Sequence, residues 1–165
     1  MKFPELDLGE LDALIFDFDG VFTDNTVLVS SDGSESVRFS KSDSLGVALF
    51  KEYLAKERID LKLLVISKER NLIVSSRTSK MQLECFQGVD HKWNFIAHEL
   101  NIEEGKYIYF GNDVNDLEAM KRAFASFAPF DAHSEVKEVA TFVLTERGGK
   151  GFVRSGLELL MSRNR

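Results

Sequence analysis

Asp17 and Asp19 stand two residues apart at the end of an apolar run, LIFDFDGVFTDN (14–25), and Gly20 follows where the chain can turn sharply. Carboxylates spaced i, i+2 on an extended segment point the same way. Burying them as anions is costly unless they are paired or metal-bound. Two chemistries suit such a pair: ligation of a hard cation, or a nucleophile beside its acid/base partner. A solvated acidic turn is the plainer reading of DxDG taken alone. Other segments add to it. LKLLVIS (61–67) ends in Ser67, KYIYFGN (106–112) empties into Asn112, Asp113 and Asp116, and Lys92 opens the stretch after LECFQG. Acids, a hydroxyl and an amine gathered at one rim suit phosphoryl transfer through a covalent intermediate. A carboxylate attacks phosphorus. Mg²⁺ held by acids and water cancels the repulsion between nucleophile and phosphate. The second acid protonates the leaving oxygen and later activates water. The hydroxyl and the ammonium hold the transferring oxygens.

The elements that must position these groups follow from hydrophobic periodicity. Residues 13–19, 61–67, 83–87 and 106–112 read as short buried strands, and TVLVSSDGSESVRFS (26–40) as a hairpin around a polar turn. Residues 42–56, 71–81, 89–100 and 116–124 carry helical spacing, the first opened by a Ser or Asp cap. Residues 125–130, 132–140, 141–146 and 151–161 continue the alternation. Strand–helix alternation predicts an α/β fold with a parallel sheet covered on both faces. In such sheets ligands bind beyond the carboxyl ends of the strands, where every candidate residue above falls.

A length of 165 residues predicts one domain with a proper core. The net charge of −6, without a basic stripe, speaks against nucleic acid or an anionic membrane as partner, while leaving room for a small phosphate ester. A single cysteine, Cys85, fits a reducing cytoplasm. The opening MKFPELDLGE is acidic and lacks an apolar core, so no signal peptide is expected, and no apolar run is long enough to span a bilayer.

DFDGVFTD, Ser67, Lys92 and GNDVND together resemble the four motifs of the haloacid dehalogenase superfamily of phosphatases. The likeness is closest to its small capless branch, the KDO 8-phosphate and sialic-acid-type 9-phosphate phosphatases. It extends to the hairpin, SDSLG (42–46), FQGVDHK (86–92) and GGKGFVR (148–154). The resemblance implies a Rossmann-like three-layer fold with a hairpin insertion at about 26–40 and no cap domain. It implies Asp17 as nucleophile and metal ligand, and Asp19 as general acid/base lending its backbone carbonyl to Mg²⁺. It further implies Ser67 and Lys92 on the phosphoryl oxygens, and Asn112, Asp113 and Asp116 as the metal loop. Glu69, Arg77 and Lys80 match in spacing the acid and two bases that the nine-carbon branch uses around its sugar acid; a salt-bridged helix surface is the competing reading. Asp43, Lys150 and Arg154 are weaker substrate-contact candidates on the same grounds. The resemblance also implies a homotetramer in which the hairpins pack together and a neighbouring subunit covers the site.

The sequence departs from the pattern at Asn112, where most relatives have Asp, at Lys68 in place of a motif Gly, and at Ser155 where Glu is common. An Asn at this place also occurs in the phosphatase-like domain of CMP-sialic acid synthetases. A catalytically weak module for assembly, or for partnering such a cytidylyltransferase, is therefore the alternative expectation. Cys85 and Trp93 read as packing residues, and His91, His98 and His133 lack metal spacing.

Overall fold

The computed structural model describes residues 6–164. Residues 1–5 of the acidic opening segment and residue 165 lie outside the described residues. In chain order come β1 (Ala13–Phe16), a small hairpin of β2 (Leu28–Val29) and β3 (Glu35–Ser36), α1 (Lys41–Glu57), β4 (Lys62–Ile66), α2 (Leu72–Lys80) and β5 (Glu84–Phe86). Then follow α3 (Lys92–Asn94), which runs on into a π-helical turn (Phe95–Glu99), β6 (Tyr107–Phe110), α4 (Leu117–Arg122), β7 (Ala125–Ala128), α5 (Ser134–Val139), β8 (Phe142–Val143) and α6 (Phe152–Arg163). Six strands pair in parallel in the order β5-β4-β1-β6-β7-β8. The chain winds from β1 out to one edge and then returns to the other side of β1. That reversal opens a crevice at the carboxyl end of β1, the place where such sheets bind ligands.

Alternation along the strands divides the core in two. Leu14, Phe16, Val65, Phe110 and Phe127 face α1 and α6, while Ile15, Leu64, Ile66, Tyr107 and Tyr109 face α4, α5 and the π-helical turn. These are the three layers the sequence implies. No further domain stands over the strand ends among the described residues, so the fold is capless. No described helix is long and apolar enough to cross a membrane.

Phenylalanines form a ladder across the first face. Ring centroids lie 5.0 Å apart for Phe16–Phe110, 4.6 Å for the stacked pair Phe110–Phe127, and 5.0 Å for Phe127–Phe142. Helix α6 reaches this ladder through Gly156, where an added Cβ would come 2.3 Å from the Phe110 ring. The amino end of α6 has no cap from its own segment. It is capped across the fold by Asp43 of α1, whose carboxylate accepts the backbone N–H groups of Gly151 at 3.2 Å and Arg154 at 2.9 Å. Asp43 is fully buried in that role, not exposed to a ligand as the sequence suggested.

Three boundaries differ from expectation, each for a hydrogen-bonding reason. β1 stops at Phe16, because the N–H groups of Val21, Phe22 and Thr23 all turn back to the Phe18 carbonyl. The helix expected from 89 begins at Lys92, because Gly88 and Val89 donate to the carbonyls of Glu69 and Ser67 and stay in the loop. The hairpin pairs only Leu28 with Ser36 and Val29 with Glu35, and both arms are exposed. The close approach at Gly156 gives a direct check on this packing. Gly156→Ala gains helix propensity but overpacks Phe110, and a net loss of about 1–3 kcal/mol is expected in urea unfolding.

Candidate active site

Gly20 makes the first turn possible. Its φ is +80°, and an added Cβ would overlap the Asn112 amide, so the loop after β1 and the loop after β6 meet in van der Waals contact there. Thr23, four residues beyond Asp19, holds that turn: its hydroxyl accepts N–H groups from Gly20 and Asn25 and donates to Asp19 Oδ1 at 3.2 Å. Sequence reading assigned Thr23 no role, although a hydroxyl one turn after an acid was visible in DFDGVFTD. The loop before α6 braces the same turn, with Gly149 N–H donating to the Val21 carbonyl.

Lys92, 2% exposed, occupies the centre of the site. Its Nζ lies 2.7 Å from Asp17 Oδ1 and 2.7 Å from Asp116 Oδ1. Asp17 Oδ1 also accepts the Phe18 N–H at 2.8 Å, which leaves Oδ2 for chemistry. Asp116 is saturated: Oδ1 takes Lys92 and the Tyr109 hydroxyl, and Oδ2 takes the N–H groups of Asn112 and Asp113. The expected ligand Asp116 is thus an anchor for Lys92 and for the loop. Asp113 is likewise engaged, capping the short helical turn at Val114–Asp116.

One ammonium cannot neutralise two buried carboxylates. Desolvation first, and then repulsion from Asp116, push the Asp17 carboxyl up to about 7 despite the ion pair with Lys92. Burial opposes the charge on Lys92, but Asp17 and Asp116 together outweigh it and hold the amine protonated, its pKa above the ordinary value. Asp19 is raised as well, chiefly by burial, with the Thr23 bond partly offsetting this. A carboxyl shifted upward beside an anionic nucleophile suits a proton donor.

A cavity of about 510 Å³ opens over these groups. Asp17, Asp19, Ser67, Asn112 and Asp113 form its floor. Lys68, Glu69 and Asn71 line it, as do Asn25, Thr26, Val27, Glu35 and Val37 from the hairpin region. Arg77 and Lys80 are not brought here. Arg77 lies over the Phe39 ring at 4.2 Å, donates to the Ser44 hydroxyl and lines a separate groove with Lys80. Arg154 pairs with Glu158 at 2.8 Å, and Lys150 lies 3.9 Å from Asp24. Trp93 stacks on Tyr107, a packing role. Cys85 is half-buried, and the His133 ring caps α5.

Among the described residues no cluster of three or more His, Cys, Asp or Glu side chains forms a metal centre. The donor chemistry nevertheless fits Mg²⁺. Asn112 Oδ1 is a buried acceptor with no hydrogen-bond partner among the described residues, and Asn112 lines the same cavity as Asp17, whose negative charge Lys92 compensates only in part. Asp17 and Asn112 would hold the ion, with the backbone carbonyl of Asp19 the remaining candidate from the protein.

A capless three-layer α/β sheet with a carboxylate, a hydroxyl and an ammonium at its switch point defines a Rossmann-like hydrolase. A profile of the haloacid dehalogenase-like hydrolases matches residues 65–154, and the chain belongs to that family. It is 26% identical over 152 residues to 3-deoxy-D-manno-octulosonate 8-phosphate phosphatase of Escherichia coli K12, covering 90% of this chain and 78% of that protein. A structure described as a HAD family hydrolase from Streptomyces avermitilis is 34% identical, with a TM-score of 0.78 over 92% of this chain and 85% of that one. The 3-deoxy-D-manno-octulosonate 8-phosphate phosphatase of Moraxella catarrhalis, in complex with magnesium, phosphate and KDO, shares the fold at a TM-score of 0.84. It is 24% identical and covers 95% of this chain and 89% of its own.

Two outcomes follow for the cation. Mg²⁺ must displace the Asp17 proton at acid pH, so calorimetric affinity should tighten about tenfold from pH 6 to pH 8 and level off above. The metal-free fold should lose stability as pH climbs from the ordinary carboxylate value of 3.8 to about 7, because the unfolded chain ionises Asp17 first. Asn112→Asp adds one charge to the donor set, and at pH 8 it should bind Mg²⁺ at least about tenfold more tightly than the parent chain.

Proposed function

We propose that the chain is a Mg²⁺-dependent phosphatase acting on the phosphate ester of a 2-keto-3-deoxy sugar acid, of the KDO 8-phosphate or sialic-acid-type 9-phosphate class. The single observation that carries this reading is Lys92 held between Asp17 and Asp116 under an open polar cavity. Mg²⁺ when bound supplies the positive charge that lets an anionic carboxylate approach an anionic phosphate. Asp17 Oδ2 forms a bond to phosphorus as the ester P–O bond breaks, and Lys92 balances the charge on nucleophile and phosphoryl oxygens. Ser67 Oγ, which accepts the Glu69 N–H at 3.1 Å, keeps its own proton free to donate to a phosphoryl oxygen. Asp19 gives its proton to the leaving alcohol and then takes one from the water that releases phosphate.

The substrate class rests on the relatives and on the wall of the cavity. Glu35, Glu69, Asn25, Asn71 and Thr26 offer acceptors and donors to sugar hydroxyls. Lys68 is the cation among the other lining residues, and the carboxylate site expected from Arg77 and Lys80 is not assembled around this cavity. The eight-carbon substrate of the curated relatives is therefore as well supported as the nine-carbon one.

Exposed Val27, Leu28 and Val29 on the hairpin support self-association, and we read the assembly as a homotetramer in which a neighbouring copy covers the open side. One cysteine and the phosphorylated substrate class support the cytoplasm as its compartment. Asn112 favours one other reading, a weak module that serves assembly, alone or with a cytidylyltransferase.

Phosphate release from a panel of sugar acid phosphates with Mg²⁺ separates the two. Turnover should be lost to background in Asp17→Asn and fall about 10²–10⁴-fold in Asp19→Asn. A wild-type chain indistinguishable from Asp17→Asn on every panel member would leave only the assembly reading. Light scattering that finds a monomer at micromolar concentration would remove the tetramer.

A further inference from the structure

We propose that Tyr109 is a positioning residue, whose hydroxyl sets, through Asp116, how much of the Lys92 ammonium is left for Asp17. The inference rests on reading Asp17 as the nucleophile.

Tyr109 lies in the middle of β6 and is fully buried. A phenylalanine would fill the same core position without bringing a hydroxyl that must be satisfied. That hydroxyl donates to Asp116 Oδ1 at 2.9 Å, the very oxygen that accepts Lys92 Nζ at 2.7 Å. Lys92 is at the same distance from Asp17 Oδ1. The ammonium therefore sits in a balance, and Tyr109 draws off part of the Asp116 charge that pulls on it. Burial and the neighbouring Asp116 keep the phenol protonated, so it remains a donor.

Tyr107, two residues earlier on the same face of β6, provides an internal control. It too is buried, and its hydroxyl donates at 2.7 Å, but to the neutral backbone carbonyl of Ala119 in α4 and not to a carboxylate that Lys92 shares. Losing either hydroxyl removes one buried hydrogen bond. Only the loss at Tyr109 redistributes charge among Asp116, Lys92 and Asp17. With that donor gone, Lys92 leans toward Asp116. Asp17 becomes the better ligand for a cation and the worse-neutralised partner of a phosphate dianion.

Tyr109→Phe and Tyr107→Phe are compared in the full chain. Tyr109→Phe should lower kcat about five- to tenfold with KM within about twofold. In the absence of substrate it should bind Mg²⁺ about two- to fivefold more tightly by calorimetry. Tyr107→Phe should lose a comparable amount of Tm and change neither quantity. Opposite signs for metal affinity and turnover are not produced by loosened packing. The proposal is overturned if Tyr109→Phe leaves metal affinity unchanged or weaker, if both variants behave alike, or if Tyr109→Phe alone fails to fold. The Mg²⁺ measurement stands even if the wild type turns over no substrate, in which case only the phosphatase reading falls.

Discussion

Three charges share one buried space, and the site depends on how they are divided. Lys92 is the counter-ion of both Asp17 and Asp116, so one negative charge is left over in surroundings that disfavour it. Asp116 has the Tyr109 hydroxyl and two backbone N–H groups besides Lys92, whereas Asp17 has one backbone N–H, so the surplus lies on Asp17. A resting protein with an under-compensated carboxylate is primed for a divalent cation. Charge balance, more than any single ligand, is what this rim of the sheet provides.

That balance requires loops to be held at fixed separations, and the scaffold does so with backbone groups. The turn after β1 is closed on the Phe18 carbonyl and stitched by Thr23. The loop after β4 is held by N–H groups of Gly88 and Val89, which also deliver Lys92 at the start of α3. The loop before α6 leans on Val21, and Asp43 caps α6 from the neighbouring helix α1 on the same face of the sheet. Conserving such geometry at the strand tips costs little entropy, because each loop is short and anchored at both ends. The cavity wall is less constrained. Its far side comes from a hairpin with two paired positions and one exposed apolar arm.

Asn112 stands where the resemblance leads one to expect an acid. Its amide packs on Gly20 and leaves Oδ1 buried without a partner, so the substitution has not been absorbed into a repacked, self-satisfied pocket. An unsatisfied buried acceptor is costly to keep.

Much of this was legible in the amino-acid sequence. Short apolar runs and helical spacings predicted the strands and helices to within a few residues, since local periodicity reports directly which face is buried. Spacing placed Asp17, Asp19, Ser67, Lys92 and Asn112 at the ends of strands, and a parallel sheet brings those ends together whatever the loops do. What only the tertiary structure decided was the employment of each polar group. The resemblance implies Asp43 as a substrate contact and Asp116 as part of the metal loop, and both are buried anchors in the fold. Arg77 and Lys80 match a ligand-binding spacing and face another groove. Tyr109 reads as one more aromatic in a core strand. Hydrogen-bond partners more than a dozen residues away, such as Lys92 for Asp116 or Gly151 for Asp43, leave no periodic trace along the chain, because their pairing depends on distances that exist only once the sheet has formed.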